Sequence, residues 1–184
     1  MNARPTRVPL LTPWLRNMRI AAVGPHLRGD VLDIGFGNGQ IAAQVAPAQY
    51  YGYELDPQVL PAAQARFPHH TFSTALPEGR RFDCVIALAV IEHTPDPADF
   101  LATCARFLRA GGKVVITTPN PTLEWTHGVA ARFGLLSHEA HDDHQSVVGR
   151  RELTAAAAKA GLKVDVFRYF MLGANQLLVL SSSP

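Results

Sequence analysis

The sequence predicts an α/β fold in which a mostly parallel β-sheet carries helices on both faces. Short apolar runs rich in Val and Ile alternate with segments of helical periodicity, and this alternation is typical of β-α-β units. A chain of 184 residues, of which 47% are hydrophobic, can bury one sizeable core but is short for two full domains. We therefore expect one domain over residues 1–184.

The first half of the chain predicts one complete β-α-β unit. Prolines mark the helix ends, because Pro47 stops the first helix and Pro57 begins the second in its first turn. The predicted elements are, in order, a strand over 31–34, a helix over 39–46, a strand over 50–54 and a helix over 57–67.

The second half predicts five more strands and two more helices. Asp96 or Asp99 begins the first of these helices, which Gly111 and Gly112 then stop sharply, and Gly161 caps the second. The predicted elements are strands near 70–73 and over 82–87, a helix ending at 108, a strand over 113–118, a helix from 150 or 151 to 159, and strands over 162–170 and 176–180 that join near Gly173.

Charge, cysteine content and hydropathy exclude several classes of protein. The formal net charge is +2 and the basic residues are scattered, so the sequence predicts no nucleic-acid partner. Cys84 and Cys104 lie in apolar segments, as reduced core thiols of a cytoplasmic protein do. Prolines break the first residues, which argues against a signal peptide, and no apolar run is long enough for a membrane span.

Three glycines at alternate positions, Gly35, Gly37 and Gly39, follow the first strand, and Asp33 precedes them. Glycines let the backbone adopt positive φ and approach a ligand, while the helix that follows points its free N–H groups at the same place. The spacing departs from the Gly-x-Gly-x-x-Gly pattern of dinucleotide folds. An acid beside the turn favours the ammonium and sulfonium groups of S-adenosylmethionine (SAM) over a pyrophosphate.

Glu54 ends the second predicted strand, where its carboxylate can accept two hydrogen bonds from vicinal ribose hydroxyls. Dinucleotide sites and SAM sites share that feature. The glycine turn alone would also suit a tight strand-to-helix connection that binds nothing, but the acid on the next strand weakens that alternative. The turn and Glu54 together predict a cofactor site, and Asp33 and the glycine spacing favour SAM.

In these residues the chain resembles the small class I SAM-dependent methyltransferases, especially the group related to the ubiquinone and menaquinone biosynthesis methyltransferases. The resemblance spans about residues 30 to 180 and implies a Rossmann-like sheet of seven strands, the last antiparallel, with SAM as cofactor. The segments that carry it are 31–39 (VLDIGFGNG), 52–57 (GYELDP), 82–87 (FDCVIA) with 90–93 (VIEH), and 108–116 (LRAGGKVVI).

The resemblance also implies which residues hold the cofactor. Asp33, Gly35 and Gly37 would lie near the methionyl part of SAM, Glu54 would bind the ribose and Leu55 would pack on the adenine.

The chain departs from the family pattern at two cofactor positions. Phe36 replaces the cysteine common in the turn, where the contact is mainly through the backbone. The segment 72–77 lacks the aspartate that often meets the adenine amino group, so Thr74 or a backbone carbonyl would replace it. Ala89, just past the fourth strand, completes the predicted cofactor contacts.

Glu92 and His93 follow the fourth predicted strand, at the sheet edge where open α/β sheets bind ligands. Methyl transfer from a sulfonium is an in-line displacement, so the protein must mainly hold the nucleophile and supply a base where a proton has to leave. We predict His93 as that base and Glu92 as a substrate contact. The alternative is that His93 only orders the loop or the cofactor carboxylate.

The segment 137–144 is rich in histidine. Closely spaced imidazoles and carboxylates suit zinc or iron, but the sequence offers no second distant cluster, and we predict no metal. Residues 121–150 are predicted as a lid over the substrate, with His141 and His144 as polar contacts, or else as a solvated surface loop. Residues 1–29 are predicted as an N-terminal cap segment.

The sequence therefore predicts a SAM-dependent methyltransferase that acts on a small molecule. One alternative is a catalytically silent protein that binds SAM or merely keeps the fold. Another is a nicotinamide-dependent oxidoreductase, which the glycine spacing disfavours. The methyl acceptor and the oligomeric state stay open, because acceptor contacts lie in variable loops.

Overall fold

A seven-stranded sheet with four α-helices forms the part of the chain that the computed structural model describes, residues 11–121 and 148–183. Its strands are β1 (Val31–Ile34), β2 (Tyr50–Tyr53), β3 (Thr71–Ser73), β4 (Phe82–Leu88), β5 (Leu108–Pro119), β6 (Leu162–Phe170) and β7 (Asn175–Ser182). Its helices are α1 (Leu11–Val23), α2 (Leu60–Arg66), α3 (Pro97–Arg106) and α4 (Arg150–Lys159).

The strand order is β3-β2-β1-β4-β5-β7-β6. β1 pairs in parallel with both β2 and β4, whereas β7 runs antiparallel to β5 and β6. This confirms the predicted mostly parallel sheet of seven strands with the last antiparallel. The order reverses between β1 and β4, and open α/β sheets bind ligands beyond the carboxyl ends of the strands at such a point.

Apolar side chains cover both faces of the sheet, as predicted for a parallel sheet. One face packs against α3 and α4 through Leu101, Cys104 and Leu153. The other packs against α1 and α2 through Val23 and Ala63. Both cysteines are free and buried in this core, as the sequence predicts.

The helix predicted over 39–46 is wrong in type, because Gln40–Gln44 form only a short 3-10 helix. Gly39 has a left-handed φ of 66°, and Ala46 is extended, as the residue before a proline tends to be. Too few residues remain between them for a stable α-helix, and 3-10 geometry is common in such short connections. The strand predicted over 50–54 ends one residue earlier, at Tyr53.

Further bounds also differ from the prediction. α3 ends at Arg106 rather than at 108, and β7 covers Asn175–Ser182 rather than 176–180. The helix predicted over 57–67 divides into a 3-10 turn, Pro57–Val59, and α2. β5 begins at Leu108 rather than 113, so Gly111 and Gly112 lie within the strand and do not end a segment. The register shifts there, because Leu108 pairs with Phe82 and Lys113 with Cys84, which leaves 109–112 as an irregular stretch. The predicted lid, 121–150, lies almost entirely outside the described residues.

Asp96 caps α3, and its removal should destabilise the protein. Its carboxylate accepts hydrogen bonds from the backbone N–H groups of Ala98 (2.7 Å) and Asp99 (3.3 Å). We expect Asp96→Ala to lower the free energy of unfolding by about 1 kcal/mol in urea denaturation. Asp99→Ala removes a carboxylate from the same first turn without removing the cap, and an equal loss in both variants would contradict this assignment.

Candidate active site

The glycine turn connects β1 to the 3-10 segment, and all three glycines have positive φ: 73° at Gly35, 50° at Gly37 and 66° at Gly39. A Cβ on Gly35 would lie 2.5 Å from Val90 Cγ2, so packing as well as φ requires glycine there. A Cβ on Gly37 would meet nothing within 4 Å. The turn is therefore packed tightly at Gly35 and open at Gly37, which leaves room for a ligand to approach the backbone.

Glu54 follows β2 and is tied directly to this turn. Its Oε2 accepts a hydrogen bond from the Gly37 N–H at 3.3 Å, and its Oε1 accepts one from the Leu55 N–H at 2.8 Å. The backbone supports the same contact, because the Gly35 N–H donates to the Tyr53 carbonyl at 2.8 Å. The structure thus brings together the two features, turn and acid, from which the sequence predicts a cofactor site.

Asp33 is almost completely buried, at 2% exposure, beneath the turn. The Tyr50 hydroxyl, also buried, donates a 2.8 Å hydrogen bond to its Oδ2. Burial raises the pKa of Asp33 to about 7, the charge of Glu54 adds to that rise and the bond from Tyr50 opposes it. The pKa of Tyr50 is raised as well, mainly by burial, so its hydroxyl keeps its proton and remains a donor to Asp33.

An aromatic cluster lies under the turn, on the same face of the sheet as Asp33. The rings of Phe36 and Phe72 are 4.9 Å apart, and Tyr50 packs edge-on to Phe72 at 5.4 Å. A Cβ on Gly52 would lie 2.9 Å from both phenylalanine rings. The Phe36 side chain is therefore a core residue, so its predicted contact with a cofactor is left to its backbone.

Three other predicted cofactor residues follow the carboxyl ends of their strands, at the sheet edge that carries the glycine turn. Leu55 is 77% exposed, so its apolar side chain is accessible to a ligand at this edge of the sheet. Thr74, just past β3, is also exposed. Ala89, just past β4, has a left-handed φ of 56°, and its N–H donates to the Thr117 carbonyl at 2.8 Å. Positive φ at a non-glycine residue is uncommon and often marks a functional site.

Glu92 and His93 form a single 3-10 turn after β4. Glu92 is buried, and its Oε2 accepts a 2.9 Å hydrogen bond from the Thr118 hydroxyl. The His93 side chain is exposed, while its backbone N–H donates to the Val90 carbonyl at 2.9 Å. The two neighbours therefore face different environments. The other predicted substrate contacts, His141 and His144, lie outside the described residues.

Two polar residues at this edge of the sheet, Tyr50 and Asn175, belong to no local sequence pattern that would predict their positions. β1 and β2 pair with Asp33 opposite Gly52. Because Gly52 has no side chain, the Tyr50 hydroxyl has room to reach Asp33. Asn175 begins β7 and is fully buried at the same sheet edge. Within residues 11–121 and 148–183, no group of acids, cysteines and histidines is arranged to hold a metal, and no helix is long and apolar enough to cross a bilayer.

Comparisons with known proteins agree with this geometry. A sequence model described as a methyltransferase domain matches residues 15–165. The chain is 30% identical over 153 residues to the ubiquinone biosynthesis O-methyltransferase of Idiomarina loihiensis, covering 70% of this chain and 60% of that one. It is 29% identical over 172 residues to the protein of the same name from Aromatoleum aromaticum, covering 84% and 70%.

The fold is also found among solved structures. One of them is magnesium protoporphyrin IX methyltransferase from Synechocystis PCC 6803, with bound S-adenosylhomocysteine (SAH). It superposes with a TM-score of 0.67 at 18% identity, and the match covers 92% of this chain and 83% of that one. At that identity the likeness is one of fold. The chain spans 60% of the length of the first curated relative and 70% of the second.

Proposed function

The chain belongs to the class I SAM-dependent methyltransferases, and from that membership we propose that it transfers a methyl group from SAM to a small-molecule acceptor. The observation that carries the proposal is the contact between the open glycine turn and Glu54, with buried Asp33 beneath it. We further propose that residues 1–184 act as one domain in the cytoplasm and that nucleic acid is not the partner. Within this domain, residues 1–29 would cap the site and residues 121–150 would cover the substrate.

The residues present fit SAM rather than a dinucleotide. Glu54 would serve either cofactor, but the carboxyl group of Asp33 lies directly beneath the turn, where its ionised form disfavours a pyrophosphate and suits an ammonium or a sulfonium. The open side of Gly37 leaves space for the ligand. Bound SAM supplies an electrophilic methyl group on a positively charged sulfur.

Each cofactor residue has a distinct task in this proposal. Glu54 accepts hydrogen bonds from the ribose hydroxyls, and the exposed Leu55 packs against the adenine. Thr74 lies at the end of β3, where it can reach the adenine edge. Gly35, Gly37, the backbone of Phe36 and Ala89 line the path of the methionyl part, with Asp33 beneath them.

His93 is proposed as the base that removes a proton from the acceptor. It lies just past the carboxyl end of β4, next to the point where the strand order reverses, and its side chain is exposed. Glu92, on the buried side of the same turn, is proposed as a contact to the acceptor. Its carboxylate accepts a hydrogen bond from the Thr118 hydroxyl. His141 and His144 are proposed as further polar contacts to the acceptor.

Replacing Glu54 by glutamine should weaken cofactor binding. Both carboxylate oxygens accept backbone N–H bonds, so a glutamine must turn its NH2 group towards one of those donors. We expect Glu54→Gln to lower the affinity for SAH by about 10- to 100-fold, the cost of a lost hydrogen bond to a charged group. Glu78→Gln makes the same change at an exposed position beyond the site and should leave the affinity unchanged. Equal affinities in all three proteins would contradict the role of Glu54.

Calorimetric titration with SAH and with NAD+ tests the proposed cofactor. We expect SAH to bind with one-to-one stoichiometry and NAD+ not to bind. Binding of NAD+ in place of SAH would support an oxidoreductase instead, and binding of neither would contradict the proposed function. A catalytically silent protein would bind SAH without methyl transfer.

A further inference from the structure

A small polar cluster lies at the carboxyl edge of the sheet, two and three strands away from the β1 strand of the cofactor site. It consists of Thr117 on β5, Asn175 on β7 and Arg19 on α1, called here the β5–β7 cluster. The Arg19 Nε donates to the Asn175 Oδ1 at 2.8 Å. Thr117 and Asn175 are both fully buried.

The β5–β7 cluster lies on the same face of the sheet as Asp33. Asp33 pairs with Ile86, and Ile86 pairs with Val115, so these three side chains share a face. Thr117 is two residues beyond Val115 on that face. Asn175 pairs with Pro119, a further two residues towards the carboxyl edge. Neighbouring strands are about 4.8 Å apart and residues rise about 3.3 Å along a strand, so Thr117 lies about 12 Å from Asp33 across the sheet.

Among the residues that the structure describes, two polar atoms of the cluster have no hydrogen-bond partner. They are the Thr117 Oγ1 and the Asn175 Nδ2, and both are inaccessible to solvent. A buried polar group without a partner costs roughly 1–3 kcal/mol, and native proteins contain few of them. Two such atoms on neighbouring strands at the ligand-binding edge of an α/β sheet indicate a place where a ligand completes the hydrogen bonding.

The chemistry of the cluster selects the ligand. The amide NH2 of Asn175 donates, the hydroxyl of Thr117 can donate, and Arg19 brings a guanidinium whose bond to Asn175 uses one of its five donors. Burial lowers the pKa of Arg19, and the negative charge of Glu92 opposes that effect. Donors of this kind match the paired oxygens of a carboxylate, which guanidinium groups bind with the strongest hydrogen bonds.

We propose that the β5–β7 cluster binds a carboxylate of the methyl acceptor, so that the acceptor is a small carboxylic acid. This inference rests on the proposed methyltransferase function. The position of the cluster favours the acceptor over the cofactor, because the glycine turn and Glu54 hold the cofactor over β1 and β2, on the other side of β4.

The test uses Asn175→Asp, which preserves the acceptor oxygen for Arg19 but replaces the Nδ2 donor with a second oxygen. Thr117→Val, a change of similar volume, is the second variant. Asn17→Asp makes the same chemical change at an exposed position of α1 and serves as the control. Each protein is saturated with SAH and titrated with benzoate and with benzyl alcohol, with binding followed by ligand-observed NMR.

We expect the wild-type complex to bind benzoate more tightly than benzyl alcohol. Asn175→Asp should weaken benzoate binding at least tenfold and Thr117→Val by a smaller factor, while Asn17→Asp should match the wild type. Equal benzoate affinities in the wild type and Asn175→Asp, or no preference of the wild type for benzoate, would overturn the proposal.

The cofactor has a carboxylate of its own, and a second pair of ligands distinguishes the two sources. SAH carries this aminoacyl carboxylate, whereas 5′-methylthioadenosine lacks it. We expect Asn175→Asp to bind both ligands as the wild type does. A selective loss of SAH affinity would show that the cluster holds the cofactor instead, and would overturn the assignment to the acceptor. If the wild type failed to bind SAH at all, the proposed function would fail before any variant was tested.

Discussion

Asp33→Asn should remove a pH dependence of stability on the order of 4 kcal/mol from the ligand-free protein. The pKa of Asp33 rises from 3.8 to about 7 on folding, mainly through burial. Between these two values the folded chain holds a proton that the unfolded chain has lost, so stability falls as pH rises through this window. Each pH unit of the shift corresponds to 1.36 kcal/mol. An asparagine can still accept the Tyr50 hydrogen bond but carries no charge.

Urea denaturation of the wild type and Asp33→Asn from pH 4 to pH 8.5 measures this effect. The difference in unfolding free energy between the two proteins should grow in favour of Asp33→Asn up to about pH 7 and then level off. Tyr50→Phe removes the hydrogen bond that opposes the shift, so it should move the upper end of the window to higher pH. Parallel curves for wild type and Asp33→Asn would show that Asp33 is ionised in the folded protein throughout.

His93→Asn should lower kcat by about 10²- to 10⁴-fold, the usual contribution of a general base. His93 lies just past β4 and its side chain is exposed, which supports the proposed contact with an acceptor. Because the proposed role is proton removal from the acceptor, SAH affinity should stay within about twofold of the wild type. The rate is measured with saturating SAM and the acceptor-containing fraction of a cell extract.

His69→Asn, at an exposed position between α2 and β3, is the matched control and should retain the wild-type rate. A fall in SAH affinity with little change in kcat would instead support the alternative role of His93, in which it orders the loop or the cofactor carboxylate. An unchanged rate and affinity would exclude both roles.

The central strands β1 and β4 could be predicted from sequence because both are largely buried and read as short apolar runs. The edge strand β6 could be predicted from its partly alternating pattern, although most of its side chains are exposed or half-buried, and the predicted bounds of β1 and β6 agree with the structure. The segment after the glycine turn could not be predicted in type, because Gly39 and Pro47 act together to shorten it. The predicted start of β5 was wrong because two adjacent glycines usually indicate the end of a helix or strand. Here they lie within β5, where its register with β4 shifts.

In the candidate site, too, residues in local patterns could be predicted and contacts between distant parts of the chain could not. Gly35, Gly37, Asp33 and Glu54 follow from a local pattern, since each is at or near the end of a strand, and the structure brings them together. The hydrogen bond from Tyr50 to Asp33 and the β5–β7 cluster depend on strand register and on the packing of α1. Contacts between residues as distant as Arg19 and Asn175 leave no periodicity for a single sequence to reveal.

Methyl transfer itself is the most direct test of the proposed function. The purified protein is incubated with methyl-labelled SAM and a cell extract, and label is measured in the small-molecule fraction. We predict that label accumulates there with the wild type and falls sharply with Glu54→Gln at limiting SAM. An extract that stays unlabelled while the protein binds SAH would contradict the proposed transfer and identify the chain as a silent SAM-binding protein.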